Sequence, residues 1–251
     1  MEQALRGARV LITGGGTRLG SAIARGLGQR GAEVAIHFLH SEAGAHSLVS
    51  ELTQAGQRAA QFQADLTDPG AISELVGRVE GQFGPLTALV NSAAIFERAT
   101  FAETSLDSLE RHWMLNARAP YLLTQAVVAR MQARTGGDVV NILDIGGALA
   151  PWRNYSAYCM TKAALAMLTR CLALELAPKI RVNAVAPGTV LPPAGVSASQ
   201  LEQLRRQIPF QRYVSVEEVV EAVAFLLAGP RSMTGQIVAV DGGHSLGASG
   251  V

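Results

Sequence analysis

Tyr158 and Lys162 are the side chains whose types and spacing most directly suggest chemistry. They stand four positions apart in YSAYCMTKAAL, so on a helix they share one face. A phenol with a pKa of about 10 is a poor acid–base group at neutral pH, but a neighbouring ammonium group favours its anion and lowers that pKa. Only Lys162 and Lys179 among the 21 basic side chains are lysines, which give a compact donor that arginine cannot. The pair predicts proton transfer by Tyr158; a chance surface pairing is the alternative.

A second candidate, Asp144, follows the predicted strand GDVVNIL and precedes the loop that leads to Tyr158. A carboxyl group can accept a hydrogen bond from an amino group or pass a proton toward a ring nitrogen. Asp144 is therefore a candidate hydrogen-bond acceptor or acid. An inert side chain at this position is the alternative.

The segment VLITGGGTRLG, residues 10–20, places glycines between a predicted strand and a predicted helix. Glycines let the backbone turn sharply and approach a pyrophosphate, whose charge is met by the N–H groups and dipole of the helix N-terminus. The turn predicts a dinucleotide site that includes Gly14, Thr17, Arg18 and Leu19; a turn that binds nothing is the alternative. Arg18 is unexpected, because a further glycine is usual at that point.

The end of the second predicted strand, HFLHS, has no acidic residue. An enzyme that uses NAD usually carries Asp or Glu about 20 residues past the glycines to hold the ribose 2′-hydroxyl. His40 and Ser41 stand there instead and can donate to a 2′-phosphate, which predicts NADPH as the cofactor. A solvated turn and helix cap is the alternative. Asp65, with Leu66, ends the third strand and is predicted to lie near the adenine or to cap the next helix.

Short apolar runs alternate with longer amphipathic stretches along the chain. We predict strands at ARVLIT, AEVAIHF, RAAQFQA, LTALVNSA, GDVVNIL, IRVNAVA and GQIVAVDG, and helices at 18–30, 42–55, 69–83, 105–133, 155–177 and 215–228. This alternation predicts a single-domain, Rossmann-type α/β fold over residues 1–251, with a doubly wound parallel sheet of about seven strands flanked by helices. The stretch 189–212, rich in Pro, Gly and Ser, follows a strand's carboxyl end and is predicted to be a substrate lid.

The composition argues against several other classes of protein. The net charge of +1, from 21 basic and 20 acidic side chains, gives no positive electrostatic field that would attract nucleic acid or an anionic membrane. No apolar run reaches the roughly 18 residues of a membrane span, and the N-terminus is too polar for a signal peptide, so we expect a cytoplasmic protein. Cys159 and Cys171 lie in one predicted helix and cannot pair without breaking it. The histidines show no metal-ligand spacing.

Six motifs, in order over nearly the whole chain, resemble the short-chain dehydrogenase/reductase family. They are TGGGTRLG, NSAA at 91–94, Asn116 in MLNARAPYLL, the Tyr158–Lys162 pair, IRVNAVAPG and TGQIVAVDGG. The resemblance implies that Tyr158 donates a proton, that Lys162 binds the nicotinamide ribose, and that Asn116 holds a water in a proton relay. It places a helix irregularity near Pro120. It also implies a cofactor site lined by Asn91, Ala93, Pro187, Gly188 and Val190.

At two positions the chain departs from the usual family pattern, and there it resembles the pteridine reductase subgroup. Asp144 stands where most members have serine, and Arg18 where most have glycine; Phe96 in NSAAIFERAT matches as well. The resemblance implies that Phe96 and the nicotinamide sandwich a pterin, while Arg18 reaches both the cofactor phosphate and the pterin. Asp144 and Tyr158 are 14 positions apart, one more than is usual in the subgroup. The Gly146–Gly147 pair is expected to absorb the extra residue as a bulge.

The resulting expectation is an NADPH-dependent reductase that transfers a hydride to a C=N bond of a dihydropterin, or of a pterin or dihydrofolate. An NADPH-dependent carbonyl reductase of 3-oxoacyl thioesters or other ketones is the alternative enzyme, and a nucleotide-sensing or scaffold protein that binds NADPH without turnover is the alternative from another class of function. The apolar segment YSAYCMTKAALAMLTRCLALELA further predicts a homotetramer, since one sheet face cannot cover its whole circumference. Burial of this helix within one subunit is the alternative.

Overall fold

One parallel sheet forms the centre of the fold. The computed structural model describes residues 5–134, 136–190 and 197–247. Within these ranges, seven strands pair in parallel in the order β3-β2-β1-β4-β5-β6-β7. They are β1 (Arg9–Ile12), β2 (Glu33–Phe38), β3 (Ala59–Gln63), β4 (Ala88–Asn91), β5 (Gly137–Ile142), β6 (Ile180–Pro187) and β7 (Ile237–Val240). The predicted doubly wound sheet is confirmed.

Helices connect the strands and cover both faces of the sheet. They are α1 (Arg18–Gln29), α2 (Glu42–Gln54), α3 (Pro69–Phe83), α4 (Leu106–Trp113), α5 (Ala119–Gln132), the single turn α6 (Ile145–Ala148), α7 (Ser156–Glu175), α8 (Ala198–Arg206) and α9 (Val216–Ala228). The helix predicted at 105–133 is two helices, α4 and α5, joined by a π-helical turn at Met114–Arg118. Pro120, which lacks a backbone N–H, follows that turn, in agreement with the irregularity expected near it.

Alternate residues of the strands face two separate cores. Val10 and Ile12 of β1 pack with α1, α2 and α9, whereas Leu11 between them packs with α3, α5 and α7. Both faces of the sheet are buried, which is why its strands are apolar throughout. The strand order reverses between β1 and β4, and in such sheets ligands bind in the crevice outside the carboxyl ends at that point.

The stretch 189–212 is more regular than its composition suggested. It contains helix α8, formed by the good helix formers of ASQLEQLRR. Leu204 and Gln207 line the crevice at the carboxyl ends of the strands. Residues 191–196 lie outside the described ranges, so the predicted substrate lid stays a prediction.

Helix α7, with 20 residues, is long and apolar enough to cross a membrane by length and composition. Core helices pass the same test, and α7 packs onto the sheet through Leu165, Ala166 and Ala173. Both cysteines, Cys159 and Cys171, lie on α7 and are free. The expected absence of a membrane span and the expected cytoplasmic location stay predictions.

Candidate active site

A cleft with a volume of about 1110 Å³ opens at the carboxyl ends of the strands. It exceeds the roughly 300–1000 Å³ that is usual for a single small ligand. Most of the predicted site residues line it: Gly14, Thr17, Arg18, Leu19, His40, Ser41, Leu66, Ala93, Phe96, Asp144, Tyr158, Lys162, Pro187, Gly188 and Val190. Asp65, Asn91 and Asn116 lie outside this lining. Residues that no sequence pattern singled out also line it, among them His37, Trp152, Arg153, Tyr155 and His244.

The glycine-rich turn packs too closely for side chains. A Cβ atom on Gly14 would lie 2.9 Å from the Cα of Ala93, and one on Gly20 would lie 2.1 Å from the carbonyl oxygen of Gly14. The Thr13 hydroxyl oxygen ties the turn to the end of β4 by accepting from the backbone N–H of Ala93. Helix α1 begins directly after the turn, and its N-cap residue Thr17 makes no side-chain capping bond. The first N–H groups of α1 are therefore open to an anion such as a pyrophosphate.

Arg18 holds an uncommon backbone conformation at the start of α1. Its φ angle is +49°, in the left-handed region where a side chain costs roughly 1–2 kcal/mol and glycine is at ease. This cost explains why glycine is usual at that point of the turn. Arg18 is exposed and lines the cleft. The strained backbone of Arg18 thus carries a positive charge beside the candidate phosphate site. Backbone strain at such a position is typical of functional residues.

The two residues predicted for a 2′-phosphate lie beside the glycine-rich turn. Ser41 is the N-cap of α2 but makes no side-chain capping bond, and a Cβ on Gly16 would lie 2.4 Å from its hydroxyl oxygen. His40 is exposed next to it. By contrast, α3 and α9, whose first residues do not line the cleft, are capped by Asp68 and Ser215. The N-terminus of α2 has no side-chain cap, and His40 and Ser41 are two donors beside it. A helix N-terminus is a position where a phosphate is stabilised.

Asp65 is not the cap of α3. Its carboxylate accepts from the backbone N–H and the hydroxyl of Thr67 at 2.8 and 2.7 Å, and these bonds lower its pKa. Asp68 caps α3 instead, because Pro69 occupies the first helical position and the residue before it must be the cap. The capping alternative for Asp65 is therefore wrong. Asp65 is exposed, next to Leu66, which lines the cleft.

Asp144 and Tyr158 are directly hydrogen-bonded at the other end of the cleft. The Tyr158 hydroxyl donates to one carboxylate oxygen of Asp144 at 3.0 Å, and the other oxygen accepts from the Gly146 N–H at 2.6 Å. Gly147 has a φ angle of +90°, and a Cβ there would lie 2.2 Å from the carbonyl oxygen of Cys159. The glycine pair thus accommodates the loop of 14 positions, and Asp144 faces Tyr158 as expected.

Burial shifts the pKa of three ionisable groups at this end of the cleft. It raises the pKa of Asp144 to about 6 and lowers the pKa of Lys162 to about 8. Burial and the adjacent Asp144 charge raise the pKa of Tyr158 well above its usual value. The predicted lowering of the Tyr158 pKa by Lys162 is outweighed in this arrangement; the Lys162 ammonium lies 5.6 Å from the ring centre and donates to the backbone carbonyl of Ile142. Tyr158 therefore carries its proton at neutral pH, and its role as the proton donor stays a prediction.

Two predicted asparagines support the framework around the cleft. The Asn116 amide, in the π-helical turn, accepts from the N–H and donates to the C=O of Ile95, both at 2.9 Å. The Asn91 amide donates to Asn141 at 2.9 Å within the sheet core. The prediction that Asn91 lines the cofactor site is wrong for its side chain, because that side chain points into the core. Asn116 holds the segment that carries Phe96, and its role in a proton relay stays a prediction.

Phe96 belongs to an aromatic cluster. Its ring stacks on Tyr155 with centroids 4.4 Å apart and an interplanar angle of 7°, and it meets the ring of Tyr158 edge-on at 4.7 Å. Trp152 packs edge-on against Phe96 at 5.8 Å. Sequence reasoning missed Trp152 and Tyr155, although Tyr155 precedes Tyr158 by one helical turn, which is a usable signal. Phe96 is still 41% exposed, so part of its ring is open to a planar ligand.

Known proteins share both the sequence pattern and the fold. The sequence model described as Enoyl-(Acyl carrier protein) reductase matches residues 16–245. The short-chain type dehydrogenase/reductase of Picea abies is 32% identical over 253 residues, which cover 96% of this chain and 93% of the relative. The chain belongs to the short-chain dehydrogenase/reductase family. It is accordingly an NAD(P)-dependent oxidoreductase.

Two further relatives illustrate the range of proteins to which this short-chain dehydrogenase/reductase is similar. The L-xylulose reductase of Caenorhabditis elegans is 35% identical over 244 residues, which cover 94% of this chain and 95% of the relative. The crystal structure of a blue fluorescent protein from a metagenomic library, in complex with NADPH, is 36% identical with a TM-score of 0.89, and the match covers 96% of this chain and 99% of that one. These names give no support to the pteridine reductase subgroup in particular.

Proposed function

We propose that this protein is an NADPH-dependent reductase that transfers a hydride to a C=N bond of a dihydropterin. The observation that carries the proposal is Asp144, a largely buried carboxyl group with a pKa raised to about 6, hydrogen-bonded to Tyr158. A carboxyl group can accept from the amino group of a pterin and donate a proton to its ring nitrogen. A ketone has neither group, so a neutral hydroxyl side chain would serve it better.

The glycine-rich turn and the first residues of α1 and α2 fit NADPH. The uncapped N-termini of these two helices suit a pyrophosphate and a 2′-phosphate, with His40 and Ser41 as donors to the latter. Lys162, whose ammonium is held at the end of β5, would donate to the nicotinamide ribose. When bound, the cofactor supplies the hydride. The metagenomic relative that holds NADPH supports this choice of cofactor.

Arg18→Gly is expected to stabilise the fold and to weaken NADPH binding. Relief of the left-handed strain raises the free energy of unfolding by about 1 kcal/mol. Loss of a charge-assisted hydrogen bond raises the dissociation constant for NADPH roughly tenfold. Thermal unfolding and fluorescence titration with NADPH measure the two effects. Arg18→Ala is the matched control, because it keeps the strain and removes the charge; a stabilised Arg18→Ala protein contradicts the strain argument.

Phe96 offers a surface on which a pterin ring would stack. Tyr155 already lies parallel to the Phe96 ring at 4.4 Å and covers one of its faces, so a pterin would contact the part of the ring that is still exposed. The Phe96 ring also contacts Tyr158 edge-on, which puts a stacked substrate next to the Asp144–Tyr158 pair. Arg18, on the glycine-rich turn, would contact the cofactor phosphate and the pterin.

A carbonyl reductase is the second candidate, favoured by the L-xylulose reductase of Caenorhabditis elegans among the relatives. Tyr158 carries its proton at neutral pH, and burial raises its pKa further above neutrality, so it can donate to a carbonyl oxygen as well as to a nitrogen. Asp144 separates the two candidates. Its negative charge would repel the negative charge that develops on a ketone oxygen, whereas its proton serves a C=N substrate.

A substrate panel run beside Asp144→Ser tests the proposal. The protein is supplied with NADPH or NADH and with dihydropterins, dihydrofolate, 3-oxoacyl thioesters or sugar ketones, and oxidation of the nicotinamide is followed by absorbance. We expect NADPH-linked turnover of a dihydropterin, and in Asp144→Ser a loss of that activity with a gain on ketones. Ketone turnover without any dihydropterin turnover in the wild-type protein contradicts the proposal and supports the second candidate.

We further propose that the protein assembles as a homotetramer. Met160, Met167 and Leu174 are exposed and follow one another at seven-residue intervals on α7, so they form an apolar stripe outside the core. Light scattering at micromolar concentration is expected to give the mass of four chains, and Met167→Glu is expected to give a smaller species. A wild-type protein that is monomeric under these conditions contradicts the proposal.

A further inference from the structure

His37 lies in β2, is 3% exposed and lines the wall of the cleft. Its ring Nδ1 accepts from the backbone N–H of Gly14 at 3.2 Å, and its ring Nε2 lies 3.0 Å from the carbonyl oxygen of Ala64. Its own carbonyl oxygen accepts from the N–H of Gly15 at 2.8 Å. This one residue therefore joins the glycine-rich turn after β1 to the segment that follows β3.

The partners of the His37 ring fix its protonation. The carbonyl of Ala64 can only accept, so Nε2 carries the hydrogen; the N–H of Gly14 can only donate, so Nδ1 carries none. Burial favours the same neutral form, because it lowers the pKa of His37 to about 4. Arg78 and Asp65 are the charged groups that act on the ring, and their effects oppose each other. At neutral pH, His37 is thus a neutral bridge with one acceptor and one donor.

We propose that His37 is a positioning residue for the cofactor, whose Nδ1 fixes the place of Gly14 and thereby of the phosphate-binding turn. The inference rests on the proposed function, because it concerns binding of NADPH. Gly14 packs closely against the segment after β4, since a Cβ there would lie 2.9 Å from the Cα of Ala93, so a shift of its backbone displaces the turn. Without the acceptor, the Gly14 N–H is left unpaired, and the turn moves to regain a partner in water.

Two substitutions separate the two hydrogen bonds of the ring. The side-chain oxygen of asparagine takes the place of Nδ1 and can accept from Gly14, whereas the amide nitrogen of glutamine takes the place of Nε2 and can donate to Ala64. His37→Asn therefore keeps the bond to the turn, and His37→Gln keeps the bond to the segment after β3. His46→Asn, on the exposed side of α2, is the matched control for the replacement of a histidine by an amide side chain.

Fluorescence titration with NADPH, in the absence of substrate, is the first measurement. His37→Gln is expected to raise the dissociation constant roughly five- to tenfold, and His37→Asn and His46→Asn to stay within about twofold of wild type. In steady-state assays the KM for NADPH is expected to rise in His37→Gln by a similar factor and to keep its wild-type value in His46→Asn. Equal weakening by His37→Asn and His37→Gln, or none by His37→Gln, overturns the proposal.

Amide hydrogen exchange at Gly14 gives a second readout that does not depend on the cofactor. The bond to Nδ1 protects this amide, so we expect faster exchange in His37→Gln and wild-type protection in His37→Asn. Unchanged exchange in both variants overturns the positioning role. If exchange changes as expected but the wild-type protein does not bind NADPH, the proposed function is wrong and the link between His37 and the turn is upheld.

Discussion

Asp144→Asn is expected to give a protein that is more stable at neutral pH and nearly inactive on dihydropterins. Asparagine has almost the same shape as aspartate, keeps an acceptor for the N–H of Gly146, and imitates the protonated carboxyl group by being uncharged. It cannot release a proton to a substrate nitrogen. We therefore expect kcat for dihydropterin reduction to fall about a hundredfold or more, with no change in NADPH affinity.

The gain in stability follows from the pKa of Asp144. Its ordinary value is 3.8, and burial of the carboxyl raises it to about 6 in the folded protein. Below about pH 4 the carboxyl is protonated in both the folded and the unfolded chain, whereas above about pH 6 folding must bury its charge. The cost to stability is therefore absent in acid, grows as the pH rises between these values and is complete above them. A difference of about two pKa units corresponds to roughly 3 kcal/mol.

Chemical unfolding of the two proteins at several pH values measures this cost. We expect Asp144→Asn to match the wild-type protein near about pH 4 and to exceed its free energy of unfolding by about 2–3 kcal/mol near about pH 7.5. Asp68→Asn is the control for the substitution, because asparagine caps a helix as well as aspartate does. A stability difference of the same size at both pH values contradicts burial as the source of the raised pKa of Asp144.

Turnover by the wild-type protein has a matching pH dependence. Only the protonated form of Asp144 can donate, so the rate on a dihydropterin is expected to fall as the pH rises through about 6. The fall is expected to be absent from the residual rate of Asp144→Asn. Initial rates at saturating NADPH over a pH series measure it, and a wild-type rate that rises through this range contradicts the assignment of Asp144 as the acid.

Features that depend on local pattern could be predicted from the sequence. Strands buried on both faces are apolar along their whole length, so the runs themselves marked β1 to β7. Helical spacing was enough to place Tyr158 and Lys162 on one face of α7. The Gly146–Gly147 pair also showed where the long loop after Asp144 would bend, because glycine is the residue that adopts a positive φ angle at low cost.

Features that depend on burial and on contacts between distant segments could not be predicted. His37 stands in an apolar run with nothing to set it apart, and its partners Gly14 and Ala64 follow two other strands. The pKa of Tyr158 was predicted in the wrong direction, since the sequence shows the nearby lysine but neither the burial of the phenol nor the carboxylate that packs against it. The stack of Phe96 on Tyr155 likewise exists only after folding.

Tyr158→Phe is expected to separate the two candidate reactions. The change removes the hydroxyl that donates to Asp144 and leaves the ring in contact with Phe96. For a ketone substrate Tyr158 is the proton donor, so kcat is expected to fall about a thousandfold or more. For a dihydropterin Asp144 still carries a proton, so a residual rate is expected. Tyr121→Phe, at an exposed position of α5, is the matched control.

The residual rate of Tyr158→Phe on a dihydropterin is expected to have a shifted pH profile. The Tyr158 hydrogen bond favours the charged form of Asp144 and so lowers its pKa. Without that bond the pKa of Asp144 rises further, and the carboxyl stays protonated to a higher pH. The pH at which the rate falls is therefore expected to move upward, which rate measurements over a pH series detect. A rate lost equally on both substrate classes, at every pH, means that Asp144 only orients Tyr158 and that Tyr158 alone delivers the proton.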